Sequence, residues 1–324
     1  MKKLNYLLIG LFLAVAFSSC KNDNDDPPVT PAFNPPTSAE FTGIRQNFLD
    51  GLMQIKTFDA TTELPFVFTS PKGVVVTIGY AAHQGGLPVT GNVQLRYAEL
   101  FDIGTMALAN KPLMGKDNSG NAMPLVTGGE FFIEVTQNGE KLYGNANLEV
   151  PVSYTQGANP ADMTLWGLDE DSNVWDENMD GNMGMEANGS ANASYYCWLP
   201  FCWANIDWLY SLPGVQTALR VKVPDGYNAD NCSVYAAYLT MPNTIAPFDI
   251  YDATGKYFTE HTGIAPIGYQ MFVIFISEDP LTEQFLYATK LVTVAANQYV
   301  TFTSDDLHTG STQQIIDAIN GLYN

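Results

Sequence analysis

The sequence predicts an all-β protein of two β-sandwich-like domains, with a short N-terminal helix and a short C-terminal helix. Three observations carry this expectation. From Phe58 onward, short runs of Val, Ile, Thr, Tyr and Phe are separated by clusters of Gly, Pro, Asn and Asp, which is the punctuation of strands and turns. The runs recur without long helices between them, which favours sandwiches over a parallel sheet. Only 15% of the residues are charged while 46% are hydrophobic, so 324 residues can bury the cores of two domains, expected at 39–210 and 211–324.

Taken in order, Phe41, Ile44, Phe48, Leu52 and Ile55 recur at three and four residues and predict a helix over 39–56. Strands are expected at 74–78, 92–100, 130–135, 148–153, 163–167 and 173–176. Gln137-Asn138-Gly139-Glu140 makes a hairpin turn, because Asn-Gly supplies the positive φ such a turn requires. A second strand-rich block covers 218–223, 233–240, 269–277, 285–294 and 298–302. Met271 to Ile276 is apolar at every position, as in a strand covered on both faces. Ser311 is a candidate N-cap for a closing helix whose face is Ile315, Ile316, Ile319 and Leu322.

The N-terminus bears on location. Met1-Lys2-Lys3 precedes an apolar run from Leu7 to Phe17 and then Ser18-Ser19-Cys20, the layout of a removable secretion signal over 1–19. A run of about 11 residues spans roughly 16 Å as a helix, short of the roughly 30 Å hydrocarbon core. A cysteine directly after two small residues is what lipoprotein signal peptidases require, so Cys20 is the expected lipidation site. The acidic run Asn22 to Asp26 and the prolines Pro27, Pro28, Pro31, Pro35 and Pro36 make 20–38 a semi-rigid tether. The expected location is the outer membrane, held by the N-terminal lipid and facing the outside.

A net charge of −20 argues against nucleic acid, whose phosphates need clustered Lys and Arg. Cys197, Cys202 and Cys232 remain after Cys20, enough for at most one internal disulfide, and their pairing is open.

Several stretches carry a family resemblance. Gly73 to Ile78, Gly91 to Tyr97, Gly128 to Ile133 and the Gln137-Asn138-Gly139 turn resemble the β-sandwich domain shared by netrin receptors, ankyrins and tight-junction scaffold proteins, a module that Bacteroidetes surface lipoproteins also carry. Trp166 to Trp175 and Phe201 to Asp207 look like the later hairpin and aromatic strand of those bacterial proteins. The resemblance spans roughly residues 40 to 240 and includes no catalytic signature. Some relatives cleave themselves at a His-Phe-Ser step. The matching place is Pro200-Phe201-Cys202, where Pro200 removes the neighbouring base.

Asp176, Asn178, Asp180 and Gly181 reproduce the first half of a calcium loop, but Ala187 stands where the loop's closing glutamate belongs. Asp169 to Asn173 reads as a turn between the strands of Trp166 and Trp175. Tyr195, Tyr196, Trp198, Phe201, Trp203, Trp208 and Tyr210 crowd one segment. Such rings could stack on a glycan, but core packing is the commoner use, and strand parity puts Phe201 and Trp203 together on an inward face. His83, His261 and His308 are far apart, and no serine occupies a Gly-x-Ser-x-Gly elbow. The expected function is a non-catalytic binding or assembly module for a protein or glycan ligand, without a cofactor other than calcium. A hydrolase of extracellular polysaccharide or peptide acting through carboxylates, and a calcium-stabilised adhesin, are the competing readings.

Overall fold

The computed structural model describes residues 33–169, 171–177, 179–186, 193–210, 214–260 and 265–323; Cys20 lies outside them. The fold is mostly β. Its first sheet runs Gln54–Asp59, Asn92–Leu100, Ala122–Gln137, Trp203–Leu209, Thr164–Asp169, Val174–Asp176, Met114–Lys116. Met114–Lys116 also pairs with the start of Ala122–Gln137, so that end of the sheet curls back on itself. A second sheet runs Asn182–Glu186, Ser194–Pro200, Tyr143–Pro151, Val75–Ala82, Phe66–Thr69. Alternation sets the contact between them: Leu95, Tyr97, Phe131 and Ile133 of the first sheet meet Val76, Ile78, Leu148 and Cys197 of the second in one core.

After residue 214 the chain builds a smaller pair. Ile250–Asp252, Tyr257–Thr259, Arg220–Lys222 and Tyr299–Thr301 form a four-stranded sheet. Ala246–Pro247, Ser233–Tyr238, Gln270–Asp279, Gln284–Thr293 and His308–Thr309 form a five-stranded one. Val221, Phe258 and Val300 pack there against Val234, Val273 and Phe275. The strand Gln270–Asp279 is covered on both faces, as its apolar run predicts: Val273 and Phe275 face this core, while Ile274 and Ile276 face another.

That other core is built around three helices, α1 (Ser38–Gly51), α2 (Ile103–Ala109) and α3 (Thr312–Asn320). It takes in Ala98, Leu100 and Trp203 from the first sheet and Tyr235, Ile274, Ile276 and Phe285 from the later one. Phe33–Asn324 therefore forms one compact unit. Tyr235 ties the layer together, since its hydroxyl donates to Asn110 Oδ1 at 2.9 Å and accepts from Arg45 of α1 at 3.1 Å. Capping boxes start α1 at Thr37 and α3 at Ser311.

Three expectations need correction. The first helix stops at Gly51, and Gln54 to Lys56 already pair with Leu95 to Tyr97, so Ile55 leaves the apolar stripe and stands exposed. α2 has no counterpart in the sequence reading, because all seven of its residues are buried, Thr105 included, and so short a helix without a polar face has no periodicity to detect. Phe201 and Trp203 do not share a face. The chain crosses from the second sheet to the first between Pro200 and Trp203, which sends Phe201 into one core and Trp203 into another.

The curled end of the first sheet encloses Trp166 and Trp175, whose ring N–H groups donate to the carbonyls of Asp207 and Pro112. Beside them lies a buried polar cluster. A bulge between Ile206 and Asp207 sets Thr127 opposite Asp207, and Glu130 opposite Asn205. Thr127 donates to Asn205 Oδ1 at 2.9 Å, and Asn205 Nδ2 donates to Asp207 Oδ2. Both carboxyl oxygens of Glu130 and Oδ1 of Asp207 are buried without a hydrogen-bond partner. Burial, then the charge of Asp207, pushes Glu130 well above the ordinary carboxylate range, and Lys111 opposes this. Burial does the same to Asp207. Neither residue is exposed, so a polymeric substrate has no contact with this pair.

A carboxyl raised in the folded state stabilises fully below its unfolded pKa and loses that contribution as pH rises toward the folded one. Above the ordinary carboxyl range, stability should therefore fall with pH, by up to about 1.4 kcal/mol per pH unit for each proton involved. Thermal melts between pH 5 and 9 should show this slope in the native chain and a flatter one in Glu130→Gln; parallel slopes would remove the assignment. The exposed carboxyls held low by turn hydrogen bonds, such as Asp117 and Asp252, act with the opposite sign and only in acid.

Two helical glycines give a second test. A Cβ on Gly104 of α2 would lie 2.8 Å from the Ile316 carbonyl, whereas one on Gly43 of α1 would meet nothing within 4 Å. Gly43→Ala should raise stability by roughly 0.5–1 kcal/mol. Gly104→Ala should lower it by about 1–3 kcal/mol, because overpacking outweighs propensity. Denaturant titration of both variants decides the order.

Candidate ligand-binding face

The second sheet packs one face on the core and leaves the other open. In Tyr143–Pro151 the even-numbered Ala146, Leu148 and Val150 are buried, so Asn145, Asn147 and Glu149 project outward. In Ser194–Pro200, Tyr195, Cys197 and Leu199 point in while Tyr196 and Trp198 point out, each 38% exposed. The aromatic crowding that suggests a core thus divides, and two of its rings face solvent.

Register assembles these side chains into rows. Asn182, Trp198, Asn147, Thr77 and Val67 are successive partners across the five strands. Gly184, Tyr196, Glu149, Val75 and Thr69 form the next row. Trp198 and Tyr196 stand two residues apart on one strand, roughly 7 Å. The Tyr196 hydroxyl donates to Glu149 Oε1 at 3.2 Å, which fixes the ring against its neighbour. Burial first, then Glu149, raises the Tyr196 hydroxyl pKa, so it stays protonated and able to donate. Gly184 beside it has open space where a side chain would lie, so the flank of the ring is uncovered.

The face continues past a bulge after Ile78, where Tyr80 pairs with Asn145. Tyr80 and Tyr143, both exposed, line a hollow of about 310 Å³ with His83, Gly85 and Gly86. The Tyr80 hydroxyl donates to the Gly86 carbonyl at 3.3 Å. The five strands carry Glu149 and Glu186 and no lysine or arginine. Four exposed aromatic rings, the amides of Asn145, Asn147 and Asn182, and the hydroxyls of Thr69 and Thr77 thus share one surface of acidic charge. Its chemistry suits stacking on apolar sugar faces with hydrogen bonds to hydroxyls, and its charge repels polyanions.

Asp176 ends the strand Val174–Asp176, Asp180 is exposed, and Asn178 lies outside the described residues. Gly181 is not at positive φ. A Cβ there would meet Leu165 at 2.8 Å and the Trp198 carbonyl at 2.9 Å, so close packing requires a glycine at this position. Among the described residues no group of three or more His, Cys, Asp or Glu is arranged to hold a metal ion. Residues 171–173 form a turn between the paired strands that end at Asp169 and begin at Val174, with Asn173 at positive φ.

The cysteines are also separated. Cys197 and Cys232 carry buried free thiols in different cores, and burial pushes Cys197 up to about 12. Cys202 is half-buried, its thiol 3.5 Å from the Pro200 carbonyl. His83 borders the hollow beside Tyr80, His308 lies in a short strand against Tyr287, and His261 is outside the described residues.

No family model matches the chain, and no curated protein matches it. Among solved structures it is similar to the gamma-CGTase of alkalophilic Bacillus clarkii, at 11% identity and a TM-score of 0.18, over 71% of this chain and 37% of that one. A likeness at that level carries no argument about fold or activity.

Proposed function

We propose that this chain is a non-catalytic cell-surface lipoprotein that binds a neutral glycan on the outward face of its five-stranded sheet. One observation carries the reading. Tyr196 and Trp198 present their rings to solvent in register with Asn147, Asn182 and Glu149, on a sheet with no basic residue. Exposed aromatic side chains at this density mark a contact surface, since burying them elsewhere would stabilise the fold. Lipidation at Cys20 and the tether over 20–38 would hold that surface away from the outer membrane, as the N-terminal sequence implies.

Electrophoresis through gels containing neutral polysaccharides should retard the native chain. Trp198→Ala should weaken retention tenfold to a hundredfold, about 1–3 kcal/mol, while melting stays close to native. Equal mobility of native and variant chains in every polysaccharide tested, or capture of basic peptides in preference to sugars, would sink the reading. Labelled palmitate fed to expressing cells should enter the native chain and not Cys20→Ala; equal incorporation would remove the anchor.

A further inference from the structure

A cleft of about 640 Å³ beside α1 is left over by the sheet face. It lies between α1, the turn joining Gln270–Asp279 to Gln284–Thr293, and residues 310–312 at the start of α3. Ile44, Phe48 and Phe285 supply an apolar floor, with the two rings edge to face at 6.0 Å. Glu40, Glu278 and Glu283 also line the cleft, and no lysine or arginine does. Glu278 is only 5% exposed, and its Oε2 is buried without a hydrogen-bond partner. Glu278 thus sets a poorly solvated charge at the cleft beside Glu283 and beside Glu40, whose Oε2 is held by the Thr37 cap, and a cation entering the cleft would offset that charge. The raised proton affinity of Glu278, due first to burial and then to Glu40 and Glu283, reports the same crowding.

The nature of the cation follows from the lining. A hard divalent ion needs several oxygens at roughly 2.3–2.6 Å, and no described cluster of three acids is arranged that way. An ammonium group needs no closed cage of oxygens, since its three donors can divide between lining carboxylates and water while its methylene stem lies on Ile44, Phe48 and Phe285. The aromatic rings add attraction for the same charge. We propose that this cleft binds a primary alkylammonium group. The volume is in the range of small-ligand sites.

Titration calorimetry on the full chain at physiological salt, with spermidine in one arm and an oligolysine peptide in the other, tests this. Binding in either arm should weaken at least tenfold in Glu278→Gln, which removes a charge-assisted hydrogen bond. Gly43→Leu should weaken it similarly by filling the cleft mouth, at a helix position that lines the cleft and where a Cβ meets nothing within 4 Å. Both variants should keep native circular dichroism. Preference for spermidine assigns a free polyamine, and preference for the peptide assigns a lysine of a partner protein. Affinity unchanged in both variants would mean diffuse attraction to an acidic surface and overturn the site. Absence of binding, or calcium binding lost in the same variants, would overturn it too. Trp198→Ala should leave amine affinity unchanged, so this result stands apart from that of the glycan test.

Discussion

The strand Ala122–Gln137 is the constraint on which the rest of the structure depends. It pairs with Asn92–Leu100, with Trp203–Leu209, with Met114–Lys116 and with the short strand Glu140–Lys141. Phe131, Ile133 and Val135 project into the core shared with the second sheet, and Leu125 projects into the helical core. Val126 reaches the core of the later sheets. One continuous strand thus touches every core, and a register slip within it would exchange the faces of all three. Gly129 shows how tightly it is held, because φ is +139° there and a Cβ would meet the Phe101 ring at 2.5 Å.

That strand also explains why the polar cluster is buried. The bulge at Asp207 lets the strand turn from one core to the next, and the turn carries Glu130, Asn205 and Asp207 inside. An apolar replacement of such a group is often neutral or stabilising, so the cluster is better read as specifying the bulge register than as a source of stability. The exposed sheet face needs this rigidity. Its rows of side chains stay aligned only while the opposite face remains packed on Phe131 and Ile133.

Legibility in the sequence followed the number of faces an element buries. Strand Asn92–Leu100 and the Asn138-Gly139 turn could be read directly, the first from its β-rich run and the second from its positive φ values. α3 was legible because one face alone is buried and Ser311 caps it. α2 was not, being buried all round, and neither was the crossing at Pro200, which periodicity cannot distinguish from a continuing strand. The site was partly legible. The strand expected at 148–153 overlaps the observed Tyr143–Pro151 only at its end, so Glu149 falls inside it while Asn145 and Asn147 do not. The alignment of this row with Trp198 and Tyr196 depends on a pairing between distant segments, which one sequence does not display.

Exposed rings on a flat sheet normally invite self-association, so their tolerance here needs a physical cause. The net charge of −20 supplies it: two copies approaching through these faces bring Glu149 and Glu186 of each together with no basic residue on the sheet to offset them. The same charge that keeps copies apart does not act on an uncharged ligand. On the proposed reading, acidity would leave the aromatic surface to partners without negative charge and disfavour polyanions and a second copy. In the cleft beside α1 the acidity acts differently, because there Glu278 is buried and its charge draws a cation inward instead of merely repelling anions. One composition thus gives two surfaces of different selectivity, and the difference between them is burial.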